Sequence, residues 1–284
     1  VIISGKGGSG KTTLTGAFAA LAKNMVLCDA DVDASDLHLI MQPAVKEDHP
    51  FMAGHTASIR KDDCTECGKC IEMCRFGAIS DDFVIDPLDC EGCGVCVYFC
   101  EAGAIDFPEN QSGNWYISET RFGPMVHARL GIAEENSGKL VTRVRQTAAR
   151  IGGENGKELI LTDGPPGVGC PVIASIGGAT GLLIVTEPSL SGRHDMERVA
   201  ELAAHFKIPA MVCINKFDVN PEQAEQIEKY AEANGLAVVG RIPFDPLFTR
   251  SMVHKQTVFE YDSAAGVNRT IEDIWDRVRR QIEG

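Results

Sequence analysis

The segment that decides the fold of this chain opens it and reads Val1-Ile2-Ile3-Ser4-Gly5-Lys6-Gly7-Gly8-Ser9-Gly10-Lys11-Thr12-Thr13. Apolar, strand-forming residues precede a glycine-rich loop, and a helix-patterned segment begins at Thr12. The loop satisfies G-x-x-x-x-G-K-[ST], a pattern whose backbone N–H groups turn inward around the phosphates of a nucleotide. A glycine-rich turn that matches by chance is the alternative, but the flanking strand and helix are the context that the pattern requires. The residues predicted to bind nucleotide are Gly5, Gly7, Gly8, Ser9, Gly10, Lys11, Thr12 and Thr13.

Two side chains of this loop and three carboxylates further along have chemistry suited to a triphosphate. Lys11 is predicted to reach the β- and γ-phosphates, and the hydroxyl of Thr12 to bind Mg²⁺. Asp29 and Asp31 end one apolar segment, and Asp163 ends another. Carboxylates at the end of a strand beside a phosphate loop can orient an attacking water and hold the waters around Mg²⁺.

Short apolar segments recur along the chain and alternate with helix-patterned segments. Strands are predicted at Val1–Ser4, Met25–Asp29, Glu158–Asp163, Gly181–Thr186, Pro209–Asn215 and Ala237–Ile242. Helices are predicted at 12–23, 137–150, 192–206 and 221–234, and from Asn268 onward. This alternation is typical of an α/β fold, with a mostly parallel sheet covered by helices on both faces. Functional residues then belong at the carboxyl ends of the strands.

The bulk composition narrows the class of protein. Of the 284 residues, 44% are hydrophobic and 24% charged, as in an ordinary globular protein. The net charge of −13 argues against nonspecific binding to nucleic acid or to anionic membranes. No stretch reaches the about 20 apolar residues of a membrane span, and no signal peptide is visible. We therefore expect a cytoplasmic protein with no nucleic-acid partner and no membrane.

Eight of the eleven cysteines form one pattern written twice. Cys64-x-x-Cys67-x-x-Cys70-x-x-x-Cys74 is repeated as Cys90-x-x-Cys93-x-x-Cys96-x-x-x-Cys100. At this spacing three cysteines of one copy and the fourth of the other hold a [4Fe–4S] cluster, with zinc as the alternative metal. The predicted ligand sets are Cys64, Cys67, Cys70 and Cys100 for one cluster, and Cys90, Cys93, Cys96 and Cys74 for the second. The repeat predicts a small module at residues 57–108, inserted between the two parts of the larger domain, 1–56 and 109–284.

A lysine directly after the first glycine, in G-K-G-G-x-G-K-T-T, is the deviant Walker A motif. It resembles the family of MinD, ParA, Mrp-type carriers and the nitrogenase iron protein. The resemblance implies an ATPase in which Lys6 reaches the phosphates of the partner subunit in an ATP-bound homodimer. From spacing alone, Lys6 is equally compatible with a solvated loop lysine. The resemblance further implies that Asp31 positions the attacking water, that Asp29 lies close to Mg²⁺ and that Asp163 holds it.

The predicted base-binding residues are compatible with two different nucleotides. Asn215-Lys216-Phe-Asp218 matches the guanine-reading Asn-Lys-x-Asp of many GTPases, so GTP stays open. The deviant Walker A relatives commonly keep an asparagine here and bind adenine, and Pro243 and Asp245 resemble their second adenine-side loop. The resemblance therefore favours ATP, with turn and helix-cap roles as the alternative for both segments.

The whole chain resembles MinD-superfamily ATPases that contain an inserted two-cluster ferredoxin domain. One departure is that Arg75 and Glu101 stand where such ferredoxins carry a proline after the fourth cysteine. The implied function couples ATP-dependent dimerisation to electron transfer through two [4Fe–4S] clusters to a client protein. The alternative is an ATP-dependent assembly or carrier protein for an iron–sulfur cluster or metal cofactor. Whether hydrolysis needs a partner stays open.

Three cysteines and two segments remain. Cys28 and Cys213 lie in apolar segments and are expected in the core. Cys170 has no second cysteine near it for a cluster shared between subunits, so we expect a buried residue at the start of a helix. The segments Glu134–Lys139 and Glu187–Asp195 are expected at a dimer or partner face, with a capped helix start as an equal alternative.

Overall fold

The computed structural model describes residues 1–131 and 137–283. The chain divides into two compact units. The first contains Val1–Asp48, Trp115–Arg129 and the chain from Ser137 onward. The second contains His49–Asn114 with Leu130 and Gly131. The predicted insertion at 57–108 lies inside the second unit. Of the segment Glu134–Lys139, the residues before Ser137 lie outside the described part.

Within the described residues, nine strands form one sheet in the order β11-β10-β9-β1-β8-β2-β7-β6-β3. The remaining two, β4 and β5, pair with each other. The bounds of the strands are β1 Ile2–Ser4, β2 Met25–Asp29, β3 Ala44–His55, β4 Ser58–Ile59, β5 Ile105–Asp106, β6 Glu109–Thr120, β7 Gly123–Leu130, β8 Leu159–Pro166, β9 Leu182–Thr186, β10 Ala210–Asn215 and β11 Ala237–Ile242.

The α/β prediction is confirmed for the central part of this sheet. The seven strands from β11 to β7 run parallel to their neighbours. All six predicted strands are present among them, and the seventh is β7, which the sequence reading missed. The reading also missed β3 and β6, whose mixed polar composition hides the two-residue period of a strand.

Helices cover both faces of the sheet. The bounds of the described helices, of which α3 and α4 belong to the second unit, are α1 Lys11–Leu21, α2 Leu37–Met41, α3 Lys69–Met73, α4 Val95–Tyr98, α5 Ser137–Glu154, α6 Cys170–Ile176, α7 Leu190–His205, α8 Pro221–Ala233, α9 Pro246–Val253, α10 Val258–Tyr261 and α11 Gly266–Glu283. The predicted helices correspond to α1, α5, α7, α8 and α11, with small shifts of their ends. No helix among the described residues is long and apolar enough to cross a membrane.

Alternate residues of the central strands pack on opposite faces of the sheet, as the period of a strand requires. Leu183 and Val185 of β9 belong to one apolar cluster, which includes residues of α1 and α11. Leu182 and Ile184 of the same strand belong to the other, with residues of α7 and α8. The sheet is therefore buried on both faces, and the loops after β1, β2, β8, β10 and β11 leave it at one edge because these strands are parallel.

The second unit has little apolar core of its own. β4 and β5 pair antiparallel, and α3 and α4 each begin one residue before a cysteine of the repeat. One apolar cluster of this unit has four buried side chains, Ala57, Cys70, Ile79 and Ile105, ringed by partly buried residues that include four more cysteines. A module of this size needs a covalent or metal staple to supplement such a core.

The last helix, α11, packs closely on the sheet at Gly240 of β11. A Cβ added there would lie 2.5 Å from Cγ1 of Ile274, which is itself 2% exposed. We expect Gly240→Ala to lower the free energy of unfolding by about 1–3 kcal/mol through overpacking. Gly153, inside α5, has open space where an added Cβ would lie. We therefore expect Gly153→Ala to raise the free energy of unfolding by about 0.5–1 kcal/mol. Thermal unfolding of both variants tests this, and equal melting temperatures would contradict the close packing of α11.

Candidate functional site

The glycine-rich loop after β1 is tied to the loop after β10. Asn215 Nδ2 donates to the Ser9 carbonyl at 2.8 Å, and Lys216 Nζ donates to the Gly8 carbonyl at 3.0 Å. Gly10 has φ +91°, in the left-handed region, and a Cβ on it would lie 2.3 Å from Asn215 Nδ2. Glycine is therefore required at this position for both conformation and space.

A cavity of about 480 Å³ opens beside this loop, in the first unit. It is lined by twelve of the residues predicted to act on a nucleotide: Gly7, Gly8, Ser9, Gly10, Lys11, Thr12, Thr13, Asp31, Asn215, Lys216, Pro243 and Asp245. The cavity volume lies in the range of small-molecule and cofactor sites. The structure thus brings together residues from four separate loops in the sequence.

Four predicted residues do not line this cavity. Gly5 packs against Asp195, which would lie 2.2 Å from an added Cβ. Lys6 points to another set of partners, described below. Asp29 and Asp163 are almost fully buried behind the cavity wall, at 0% and 1% exposure.

Lys11 joins the cavity to the buried carboxylates. Its Nζ lies 3.1 Å from Asp31 Oδ2 and 3.1 Å from Asp163 Oδ1. Burial lowers the pKa of Lys11, but the carboxylates of Asp163, Asp31 and Asp29 outweigh it and hold that pKa above its ordinary value. Lys11 is therefore a fixed positive charge among three carboxyl groups.

The two carboxyl groups after β2 are both harder to ionise than usual. Burial and the neighbouring Asp163 raise the pKa of Asp29 to about 8. Burial also raises the pKa of Asp31, although Lys11 opposes the shift. Ser35 Oγ donates to Asp29 Oδ2 at 2.8 Å, which holds that carboxyl group in place.

Two polar atoms at the site are buried with no hydrogen-bond partner in the described part of the chain: Asp163 Oδ2 and Ser9 Oγ. Buried polar atoms of this kind are costly unless a ligand, ion or water satisfies them. An unsatisfied carboxylate oxygen and a hydroxyl suit a divalent cation and a phosphate oxygen, so the donor set fits a Mg²⁺–nucleotide complex.

The sequence reading missed several residues of this site. Thr15 Oγ1 donates to Asp163 Oδ1 at 3.0 Å and so orients that carboxylate. Phe248, Thr249 and Met252 of α9 line the cavity. The available signal was Asp245-Pro246, a helix cap followed by proline at the first helical position, and Asp245 does cap α9 through Leu247 N–H.

The possible guanine-reading residue is already engaged. Asp218 Oδ1 accepts a hydrogen bond from Phe244 N–H at 2.7 Å, and Asp218 is not among the residues that line the cavity. A guanine reader needs a free carboxylate aimed at the base. This geometry favours a structural role for Asp218 in joining the two base-side loops.

Lys6 lies in a network outside the cavity. Its Nζ contacts Glu187 Oε1 at 2.5 Å and Ser191 Oγ at 3.1 Å. Lys216 Nζ approaches the other oxygen of Glu187 at 3.5 Å. Burial would raise the pKa of Glu187, but Lys6 and Lys216 outweigh it and hold that pKa below its ordinary value. In the segment Glu187–Asp195, Ser189 caps α7, as the helix-cap alternative predicted.

The eight repeated cysteines surround two separate cavities of the second unit. The first, of about 170 Å³, is lined by Cys64, Cys67, Cys70 and Cys100. The second, of about 20 Å³, is lined by Cys74, Cys90, Cys93 and Cys96. Each set contains three cysteines of one repeat and the fourth cysteine of the other. This is the combination that the spacing predicts for one cluster. The second cavity would have to widen to hold a cluster of the same size.

Within residues 1–131 and 137–283, no group of three His, Cys, Asp or Glu side chains could hold a metal ion as it stands. Burial raises the pKa of the Cys70 and Cys96 thiols, one in each set. Cys67 and Cys93, by contrast, are exposed. Each cavity therefore has both a sheltered and an accessible thiol.

The remaining cysteines divide as follows. Cys28 and Cys213 are fully buried in strands, and burial raises the pKa of each thiol to about 12. Cys170 does begin a helix, α6, but it is exposed, so the expectation of burial was wrong. Gly138 of α5 lies beside Cys170, since a Cβ added to that glycine would lie 3.5 Å from Cys170 Cβ, but this contact leaves the cysteine exposed.

The comparisons with known proteins agree with this fold. The CobQ/CobB/MinD/ParA nucleotide binding domain matches residues 1–258. The chain is 33% identical over 285 residues to the uncharacterized protein MJ0578 of Methanocaldococcus jannaschii, covering 99% of this chain and 96% of that protein. It is 25% identical over 116 residues to MJ0579 of the same organism, covering 41% of this chain and 42% of that protein.

Solved structures with a similar fold include the septum site-determining protein MinD of Pyrococcus horikoshii complexed with Mg-ADP. Its TM-score is 0.59 at 15% identity, over 98% of this chain and 93% of that one. An ATP complex of McdA from Cyanothece has a TM-score of 0.57 at 16% identity, over 99% and 95% of the two chains. With the family match over residues 1–258, the chain belongs to the CobQ/CobB/MinD/ParA nucleotide-binding family.

Proposed function

We propose that this protein is an ATPase that couples nucleotide-dependent homodimerisation to electron transfer through two [4Fe–4S] clusters to a partner protein in the cytoplasm. The observation that carries the proposal is the pair of thiol-lined cavities in a chain that also has a nucleotide cavity. Each thiol cavity is lined by three cysteines of one repeat and the fourth of the other. This crossed arrangement is how two-cluster ferredoxins hold their clusters.

ATP hydrolysis is assigned to the charged cluster around Lys11. Lys11 would bind the β- and γ-phosphates, while Asp31 would orient the attacking water from the cavity wall. Thr12, Asp29 and Asp163 would hold Mg²⁺, which neutralises phosphate charge when bound. The unsatisfied Oδ2 of Asp163 supports its part in this set.

ATP is favoured over GTP by the contacts of the base-side loops. One carboxylate oxygen of Asp218 accepts a hydrogen bond from Phe244 N–H. The side-chain amide of Asn215 donates to the Ser9 carbonyl, and its oxygen accepts from Lys216 N–H. With these groups engaged, Asn-Lys-x-Asp cannot read guanine without rearrangement. Pro243 and Asp245 lie at the same cavity and would border the adenine.

Homodimerisation is assigned to Lys6, by analogy with the family. The lysine is held by Glu187 and Ser191 of its own chain, contacts that a partner's phosphates would replace. MinD of Aquifex aeolicus, a structural neighbour at a TM-score of 0.57, forms a complex with MinC. A partner protein is therefore part of the proposal.

Electron transfer is assigned to the second unit. Cys64, Cys67, Cys70 and Cys100 would hold one cluster, and Cys74, Cys90, Cys93 and Cys96 the other, each able to accept and release one electron when bound. The chain's own contribution is to shelter these groups. Cys70 is buried and Cys96 is partly buried, while Phe83 and Phe99 line the first cavity and Phe107 the second.

The alternative function is assembly or delivery of a cluster or metal cofactor. One observation favours it: Cys67 and Cys93, one thiol of each set, are exposed. A client protein could displace an accessible cysteine thiolate from a bound cluster or metal. An electron-transfer module does not need its ligands to be accessible in this way. The two functions differ in whether iron leaves the protein during turnover.

Asp31→Asn should lower the kcat for ATP hydrolysis by about 10²–10³ because the water loses its orienting carboxylate. Asp33→Asn is the matched control, since Asp33 is exposed two residues further along and should leave kcat within about twofold. Hydrolysis would be measured with both ATP and GTP. Equal activity of the two variants would remove Asp31 from the mechanism, and faster turnover of GTP would overturn the base assignment.

Cys70→Ser should halve the cluster content of protein purified without oxygen, from about eight to about four irons per chain. Cys170→Ser is the control, because Cys170 is exposed and outside both sets, and it should retain the full content. Iron, acid-labile sulfide and zinc would be assayed together. Zinc without sulfide in the unmodified protein would contradict the cluster assignment.

ATP should shift the reduction potential of the clusters by at least about 60 mV, a tenfold change in a one-electron equilibrium. Lys11→Ala, which cannot hold the phosphates, should show no shift. Potentials that ignore ATP in the unmodified protein would rule out coupling. Transfer of iron to an apo-ferredoxin in the same conditions would favour the carrier function instead.

A further inference from the structure

A surface groove of about 470 Å³ lies on the second unit, beside the hairpin between the two cysteine repeats. We call it the hairpin groove. It is lined by Gly77, Ala78, Ser80, Val84, Ile85, Asp86, Pro87 and Asp89. Neither the nucleotide site nor the two thiol sets requires a groove at this place.

The hairpin that forms the groove is held by its own hydrogen bonds. Ser80 N–H donates to the Val84 carbonyl at 2.9 Å, and Asp86 N–H donates to the Ala78 carbonyl at 2.8 Å. Phe83 adopts φ +57°, a left-handed conformation that is unfavourable for an aromatic residue and persists only where the surroundings enforce it. The groove is therefore a formed surface that a partner can meet without ordering a loop.

The groove and the second thiol cavity share a wall. Ala78 and Ile85 line both, and Asp89 of the groove is followed directly by Cys90 of the cavity. The first thiol cavity shares no lining residue with the groove among the residues described. A protein seated in the groove would thus be one layer of side chains from the second thiol set.

Apolar side chains stand open to solvent around this groove. Leu88 is 84% exposed, Val84 50% and Phe76 50%. Weak electron-transfer complexes use small contact areas, below about 1,200 Å², in which a few apolar side chains meet inside a charged rim. The size and the composition of this surface suit such a contact.

The segment 77–91, which contains all the residues that line the groove, carries charges of one sign, and the exposed Arg75 lies just before it. Residues 77–91 contain no lysine or arginine. They contain five acidic side chains: Asp81, Asp82, Asp86, Asp89 and Glu91. All five are exposed, and none forms an ion pair within the described part of the chain. At the first thiol cavity, by contrast, Lys69 lies 3.8 Å from Glu101 and balances its charge.

We propose that the hairpin groove is the docking surface for a redox protein whose own redox centre is surrounded by lysine and arginine side chains. Electrons then enter or leave this protein beside the set Cys74, Cys90, Cys93 and Cys96. The unpaired acids steer the basic partner, and Val84 and Leu88 supply the apolar contact. The inference rests on the proposed function in requiring clusters at the two thiol sets.

A lysine-rich c-type cytochrome is a suitable probe of known charge. Carbodiimide joins carboxylates to lysines without a spacer, and mass spectrometry of the cross-linked holoprotein should place the joined acids within residues 81–91. Binding would be measured by calorimetry at low ionic strength. Cross-links that fall mainly on acids elsewhere in the chain would overturn the proposal.

Two double variants, D86N/D89N and D62N/E72Q, each remove two negative charges. The double variant D86N/D89N should weaken binding of the probe by about fivefold or more at low salt, and L88A should weaken it at any salt. The control D62N/E72Q removes two exposed acids of the same unit that do not line the groove, and it should change binding less than about twofold. An equal loss in both double variants would show that only net charge matters and would overturn the proposal.

Electron transfer gives the second readout. The protein is reduced with dithionite, and the excess dithionite is removed. The reduced protein then passes one electron to each ferric haem, which becomes ferrous. D86N/D89N should slow this step as much as it weakens binding. If the unmodified holoprotein lacks iron and sulfide, the proposed function has failed. If it carries both clusters and reduces the probe at one rate in all variants, the function stands and the docking surface is wrong.

Discussion

The charged cluster of Lys11 with Asp31 and Asp163 is the contact on which the first unit depends. It joins the first residue of α1 to Asp31 after β2 and to Asp163 inside β8. Both nitrogen–oxygen distances are 3.1 Å, and all three side chains are buried from water. A buried lysine with carboxylates around it is costly to desolvate, and removing one partner leaves an uncompensated charge. Such a cluster adds little to stability but fixes where each charge lies, which is what a phosphate-binding site needs.

Much of the first unit could be predicted because its strands are buried on both faces. A strand of this kind appears in the sequence as a short apolar run, and six of the seven parallel strands were found from that signal. β3 and β6 have a mixed, largely polar composition, which hides the two-residue period of a strand. The contribution of α9 to the cavity was missed for another reason: only the fold brings Phe248 and Met252 to a loop that is more than 200 residues earlier.

The cysteines illustrate the limits of local reasoning. The spacing of the repeat predicts which four thiols hold the same cluster. The same two combinations of four cysteines line the two cavities. The unequal volumes of those cavities could not be predicted, since they depend on side chains such as Phe83 and Phe107 that pack from distant positions. The exposure of Cys170 was also out of reach, because a residue at the start of a helix is buried only if another element covers it.

The raised pKa of Asp29 couples the protonation of this carboxyl group to folding. With a pKa of about 8, this carboxyl group keeps its proton at neutral pH in the folded protein, whereas the unfolded chain loses it near pH 4. The proton therefore favours the folded, metal-free form at low pH, and that contribution is lost as the pH rises towards 8. Under the proposed function, a divalent cation held by Asp29 would displace this proton, so its binding would weaken as the pH falls. Loading of Mg²⁺ and nucleotide would then release a proton, and the occupancy of the nucleotide site would depend on pH.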